Sequence, residues 1–180
     1  MKDYNELKND LKFIDTIVGY MLPESNLTLY LAGGSACILA GYLDRATKDF
    51  DIIDTGYTST VGKILNYLQP YDLLDLSHAE IPVHFMERAT KLEGFNYISV
   101  FVLSREDIIA SKIGRYSEKD KSDIEILMKD ADVTQLCDSI KDTIAGIINI
   151  KRKQRYLKHL NEFCSRYNLF NLSLEVDFDV

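Results

Sequence analysis

Residues 31–54 read LAGGSACILAGYLDRATKDFDIID. This stretch reads as a strand, a Gly-Gly-Ser turn, a helix, a connection, and a second strand that carries acids. The run Leu27 to Ala32 is short and rich in strand formers. It ends at Gly33-Gly34, where the backbone can turn tightly and a bulky ligand can approach with no Cβ in the way. Ser35 is expected to cap a helix over Ala36 to Tyr42. Backbone N–H groups at such a helix start attract anions, phosphate above all. An ordinary strand-to-helix turn with a serine cap would carry the same three residues.

The second half, Asp49-Phe50-Asp51-Ile52-Ile53-Asp54, is expected to be a strand. Side chains alternate faces along a strand, so Asp49 and Asp51 would share one face while Phe50 and Ile52 turn to the core. Two carboxylates so placed repel unless something pairs with them. A divalent cation relieves that repulsion, and Mg²⁺ prefers such hard oxygen ligands. Solvated acids on an edge strand are the plainer alternative. Asp54 falls on the face opposite Asp51 and reads as a turn residue at the strand end.

Gly34-Ser35 followed by Asp49-x-Asp51 resembles the signature of the DNA polymerase beta-type nucleotidyltransferase superfamily. The fuller form, GGSA…DRATKDFDII, is similar to the bacterial branch with the abortive-infection AbiEii-type toxins and related uncharacterised proteins. A second stretch, Asp107…Lys112…Arg115…Asp120…Asp123, looks like the run that such proteins carry after the sheet. The likeness covers roughly residues 27–127. It implies an α+β fold, a nucleotidyltransferase-like mixed β-sheet flanked by helices, with a helical C-terminal part. It also implies Mg²⁺ or Mn²⁺ on Asp49 and Asp51, and an NTP whose phosphates meet Gly33, Gly34 and Ser35. Lys112, Arg115 and Asp123 would serve nucleotide binding, Lys112 also catalysis. An RNA or protein hydroxyl, that of tRNA for instance, would accept the NMP, and an antitoxin protein would be the partner of a toxin of this kind.

A third carboxylate usual in the superfamily is harder to place. Glu80, Glu87, Glu93 and Asp75 flank the expected strands, while the middle of IPVHFM holds His84 instead of an acid. A catalytically degenerate nucleotidyltransferase fold that only binds a nucleotide or partner is therefore a second reading. A metal-dependent nuclease would also use paired aspartates on a strand, but it needs no triphosphate cradle. Lys112 and Arg115, three apart on a helix, face the same way. They could neutralise phosphate, or they could pair with Asp120 and Asp123.

The whole chain agrees with a water-borne enzyme-sized domain. Hydrophobic residues at 46% and charged residues at 27% are usual for a globular protein of 180 residues. No apolar run approaches the roughly 18 residues of a membrane span, and MKDYNELKND lacks a signal peptide's apolar core. Cys37, Cys137 and Cys164 are odd in number and far apart, which suits a reducing cytoplasm better than a disulfide or zinc framework. The net charge of −7 argues against a protein that coats nucleic acid over its whole surface. Lys151, Arg152, Lys153, Arg155 and Lys158 form a local basic cluster that reads as a solvated helix face or an RNA guide.

In chain order, Leu7, Leu11, Ile14, Ile17 and Val18 predict an amphipathic helix over Tyr4 to Met21. Val61, Ile64, Leu65 and Leu68 predict another helix before Pro70. Tyr71 to Leu76, Ile81 to Met86 and Tyr97 to Leu103 read as strands or extended pieces. Ser104 and Ser117, each followed by an acid three residues on, predict helices over 106–115 and up to Met128. Two further helices are expected over 133–147 and 151–167, and the tail 171–180 reads as an edge strand or disorder. Strands give way to helices near residue 104, so 1–103 is expected to be the nucleotidyltransferase-like core and 104–180 a helical part packed on it as one compact unit.

Overall fold

A computed structural model describes residues 1–24 and 26–169. The order of elements is α1 (Tyr4–Met21), β1 (Leu27–Ala32), α2 (Gly33–Leu39), β2 (Phe50–Asp54), α3 (Ser59–Leu65), β3 (Tyr71–Asp75), α4 (Phe85–Arg88), β4 (Thr90–Leu92) and β5 (Ile98–Val102). Four further helices follow, α5 (Arg105–Arg115), α6 (Glu118–Leu127), α7 (Val133–Gly146) and α8 (Ile150–Tyr167). Short 3₁₀ turns, Asn66–Leu68 and Met128–Asp130, extend α3 and α6. The fold is α+β, a mixed five-stranded sheet with flanking helices. It divides into two compact units, one of residues 1–78 with 86–104, the other of 79–85 with the chain from Arg105 on.

In the first unit the strand order is β3-β2-β1-β5-β4. β1 pairs with β5 in parallel and with β2 antiparallel, while β2 and β3 run parallel. Phe50 and Ile52 are fully buried, as their alternation predicts. Helix α1 opens on a capping box between Asp3 and Glu6. It buries Leu7, Leu11, Ile14 and Val18, each contributing about 2 kcal/mol by leaving water.

Asp15 lies on that same buried face. Its carboxylate accepts the backbone N–H groups of Asn96, Tyr97 and Ile98 at 2.7–3.0 Å and so fastens the entry of β5 to α1. A buried carboxylate with three donors cannot be truncated cheaply. Asp15→Ala is expected to cost about 2–3 kcal/mol, because hydrogen bonds to an ionised group are among the stronger ones. A urea midpoint unchanged from wild type would refute that role.

Three expectations need correction. The helix after β1 starts at Gly33, not Ala36; its N-cap is Ala32, with no side-chain cap, so Ser35 stands inside the first turn. Asp49 lies in a bend ahead of β2, because strand pairing starts at Phe50, whose N–H reaches Pro70 O at 3.1 Å. The shared-face argument for Asp49 and Asp51 thus does not apply. Residues 81–86 are no strand: Pro82 has no N–H for a ladder, and Phe85 N–H turns back to the Pro82 carbonyl as α4 begins. The expected tail strand over 171–180 lies outside the described residues.

In the second unit α5 packs against α6, α7 and α8. Ser117 and Asp120 form the capping box of α6 that their spacing predicts. Glu106 reaches from α5 to accept Asp132 N–H and the Gln135 amide at the start of α7. None of the three cysteines forms a disulfide, and burial pushes the Cys164 thiol up to about 11, which keeps it a poor nucleophile.

Candidate functional site

The Gly33-Gly34 turn follows directly from β1, and the neighbouring strand β2 brings Asp51 to it. Ala32 and Asp51 are register partners across the antiparallel pair. From that position Asp51 Oδ2 accepts the Gly34 N–H at 3.2 Å. Gly33 has φ +56°, and a Cβ there would collide with the Asp51 carboxylate. The first glycine therefore satisfies two conditions together, a left-handed backbone and the close approach of an acid.

Ser35 is fully buried. Its hydroxyl donates to Ala32 O and accepts the Asp51 N–H, each at 3.2 Å. One hydroxyl thus ties the end of β1 to the strand that bears the acid. Asp54, on the opposite face, receives the N–H groups of Gly56 and Tyr57 and shapes the turn after β2.

Gly34 is approached from the loop between α2 and β2. A Cβ on Gly34 would stand 2.8 Å from Thr47 Oγ1 and 3.3 Å from Arg45 Nη2. The space above the second glycine is therefore lined by a hydroxyl and a guanidinium of this chain. Thr47 is held there through its backbone, which forms a two-way bridge with Lys2.

On its other side β2 pairs with β3, where Asp51 and Asp72 are register partners. Partners in adjacent strands put their side chains on the same face about 5 Å apart. Asp72 is exposed on the sheet edge. Asp75 pairs with Asp54 and so belongs to the opposite face. Its carboxylate is held at about 2 by hydrogen bonds from Ser77 and His78. Glu80 lies in the helical unit, where Arg152 and Arg155 of the basic cluster bind it at 3.2 and 2.9 Å. Asp72 is thus the acid that the register sets beside Asp51. Among the described residues no group of three or more His, Cys, Asp or Glu side chains converges to hold a metal ion. The chemistry still suits Mg²⁺, which commonly takes one or two carboxylates and completes its shell with water and substrate phosphates.

Lys112, Arg115, Asp120 and Asp123 of the second predicted motif meet one another in the helical unit, while Asp107 accepts the Ser139 hydroxyl at 2.7 Å. Lys112, 8% exposed, donates to Asp123 at 2.8 Å and Asp120 at 3.3 Å. Arg115 grips Asp120 with Nε and Nη2 at 2.7 and 2.8 Å. The two cations are matched by the two acids inside their own unit.

Sequence reasoning did not single out Arg45, Thr47 or Asp72. A signal existed for the first two: they stand at every second position in register with Asp49 and Asp51. For Asp72 the choice against Asp75 depends on the β2–β3 register, which a single sequence does not state.

No solved structure matches the chain. A stretch of 97 residues is 30% identical to the DNA mismatch repair protein MutS of Streptococcus suis (strain 98HAH33), and covers 48% of this chain and 11% of that protein. The chain thus spans about a tenth of the length of the curated relative it matches. No described helix is long and apolar enough to cross a membrane. The family described as nucleotidyltransferase of unknown function (DUF6036) matches residues 9–171, nearly the whole chain, and the protein belongs to that family.

Proposed function

We propose that the chain transfers an NMP group from an NTP to a hydroxyl acceptor, in a site built on the turn at Gly33-Gly34 and on β2. The observation that carries this reading, beside the family, is the Asp51 carboxylate seated on the Gly33-Gly34 turn, with Asp72 as its register neighbour. Asp51 and Asp72, with Asp49 just upstream, would hold Mg²⁺ or Mn²⁺, which when bound neutralises phosphate charge. Gly33 and Gly34 set the backbone against which the phosphates lie. Ser35 is a positioning residue that fixes Asp51 through its N–H.

In the reaction the acceptor oxygen attacks the α-phosphorus and a new phosphoester bond forms. The bond to the β-phosphate oxygen breaks, and pyrophosphate leaves with the electron pair. The hydroxyl proton passes to a carboxylate, Asp72 being the solvent-exposed one. The resemblance to AbiEii-type toxins extends the proposal to a cytoplasmic toxin with an RNA or protein acceptor and an antitoxin partner. The assignment of Lys112, Arg115 and Asp123 to nucleotide binding rests on that resemblance.

Titration with each of the four NTPs, with and without Mg²⁺, tests the reading. Preferential Mg²⁺-dependent binding of one NTP is expected. Asp49→Asn with Asp51→Asn should weaken it by about a hundredfold, the upper range for disturbing a metal site, while the fold stays intact. Unchanged affinity in the folded double variant would end the metal assignment. The lack of three converging ligands among the described residues favours a second reading, a degenerate fold that only binds. NTP binding without labelled-nucleotide transfer to any RNA or protein would select it.

A further inference from the structure

We infer that Tyr30 and Phe101 form a stacking platform for the base of the nucleotide, on the same face of the sheet as Asp51. β1 and β5 are neighbours inside the sheet, and Tyr30 and Phe101 are register partners across that parallel pair. Their rings stack with centroids 5.1 Å apart and planes at 21°. Burial alternates along both strands. Leu29, Leu31, Val100 and Val102 on one face are fully buried, whereas Tyr30 and Phe101 on the other are half-buried. Parallel strands inside a sheet are ordinarily covered on both faces. Two aromatic rings carry a large apolar area, and here part of it is left to water.

The place of this face in the sheet fixes the occupant. Asp51 is the register partner of Ala32, and Tyr30 precedes Ala32 by two residues, so Asp51 and Tyr30 point to the same side. Diagonal neighbours of this kind on antiparallel strands lie about 7–8 Å apart. Between a phosphate held at Asp51 and a ring stacked at Tyr30 there is room for one sugar, which is the order of parts in a nucleotide. Phe101 is in turn the register partner of the exposed Lys91 on β4. In strand order the face therefore passes from the acids through the rings to a cation. A base presents a π face to such rings whatever its identity. A cross-strand aromatic pair can also do no more than steady a sheet, and that role gives the test its contrary outcome.

The platform rests on the nucleotidyltransferase reading above, and the experiment separates the two. The full chain is titrated with each NTP by calorimetry with Mg²⁺ present, and the base-proton resonances of the NTP are followed by NMR. Binding to wild type should move these resonances upfield, as the ring current above an aromatic face does. Phe101→Leu combined with Tyr30→Leu keeps apolar side chains and removes both rings. It should weaken NTP binding by about tenfold or more, as loss of a base–aromatic stack does, and abolish the upfield shift. Phe101→Tyr, which restores a ring at the same place, should recover the affinity and the shift. A lowered melting temperature of the leucine variant with NTP affinity and shift as in wild type would show a purely structural pair and overturn the platform. Unchanged NTP binding with weakened binding of a single-stranded oligoribonucleotide would assign the rings to an acceptor and overturn it too. If wild type binds no NTP, the nucleotide reading itself falls, and the platform with it.

Discussion

Replacing Lys112 by methionine is expected to lower the folding free energy by about 3–5 kcal/mol, the range for removing one partner of a buried ion pair. Lys112 is 8% exposed, and its two acids, Asp120 and Asp123, are 0% and 3% exposed. Without the ammonium, Asp123 loses its cation contact at 2.8 Å and Asp120 keeps only Arg115 and the Ser117 cap. A carboxylate that loses its ammonium in the interior tends to protonate or draw water in, and both weaken α5 against α6. The measurement is a urea midpoint at neutral pH. A change below 1 kcal/mol would show that the network is incidental to stability. A triple variant that also converts Asp120 and Asp123 to asparagine should lose less than Lys112→Met alone, because no charge is then stranded.

The same network sets a pH dependence. Burial by itself would lift the Asp120 carboxyl, but hydrogen bonds from Arg115 and Ser117 and the charges of Lys112 and Arg115 outweigh it and hold the group well below the usual carboxylate range. The folded state thus binds this proton more weakly than the unfolded chain does. The stability it contributes is complete above about pH 5 and is lost as pH falls below the ordinary value of 3.8 toward the depressed one. Between pH 5 and pH 3 the urea midpoint of wild type should therefore fall more steeply than that of Asp120→Asn. Equal slopes would refute the assignment.

Gly33→Val is the second large effect, expected to cost about 2–5 kcal/mol from a left-handed backbone forced on a branched residue and an overpacked contact. At φ +56° any side chain is strained, and a Cβ would enter the Asp51 carboxylate. The two causes can be separated. Asp51→Ala removes the collision and leaves the backbone strain, so the double variant should regain part of the loss and Asp51→Ala alone should cost little. Gly34→Ala offers a contrast in the backbone alone: no left-handed φ strains it, but its Cβ would stand 2.8 Å from Thr47 Oγ1, so Thr47 has to shift. If Gly33→Val melts like wild type, the turn is not held as described, and the acid's seat on it is lost from the functional argument as well.

Much of the architecture was legible in the chain alone because it depends on local chemistry. The apolar period of α1, the alternation at Phe50 and Ile52, and the serine-acid spacing at Ser117 and Asp120 each record a preference that acts within a few residues. The Gly-Gly turn was legible in the same way, and so was membership of a nucleotidyltransferase family.

What the sequence could not state is which side chains meet. Whether Asp72 or Asp75 stands beside Asp51 depends on the register of β3, and a register is set by pairing between strands that are distant in sequence. That Ser35 spends its hydroxyl on Ala32 and Asp51 instead of capping a helix follows from where β2 comes to rest. The glycines read as places of close approach; the fold brings Asp51 to Gly33 and Arg45 and Thr47 to Gly34. A missing Cβ marks a place where something approaches closely, and only the tertiary structure decides what that something is.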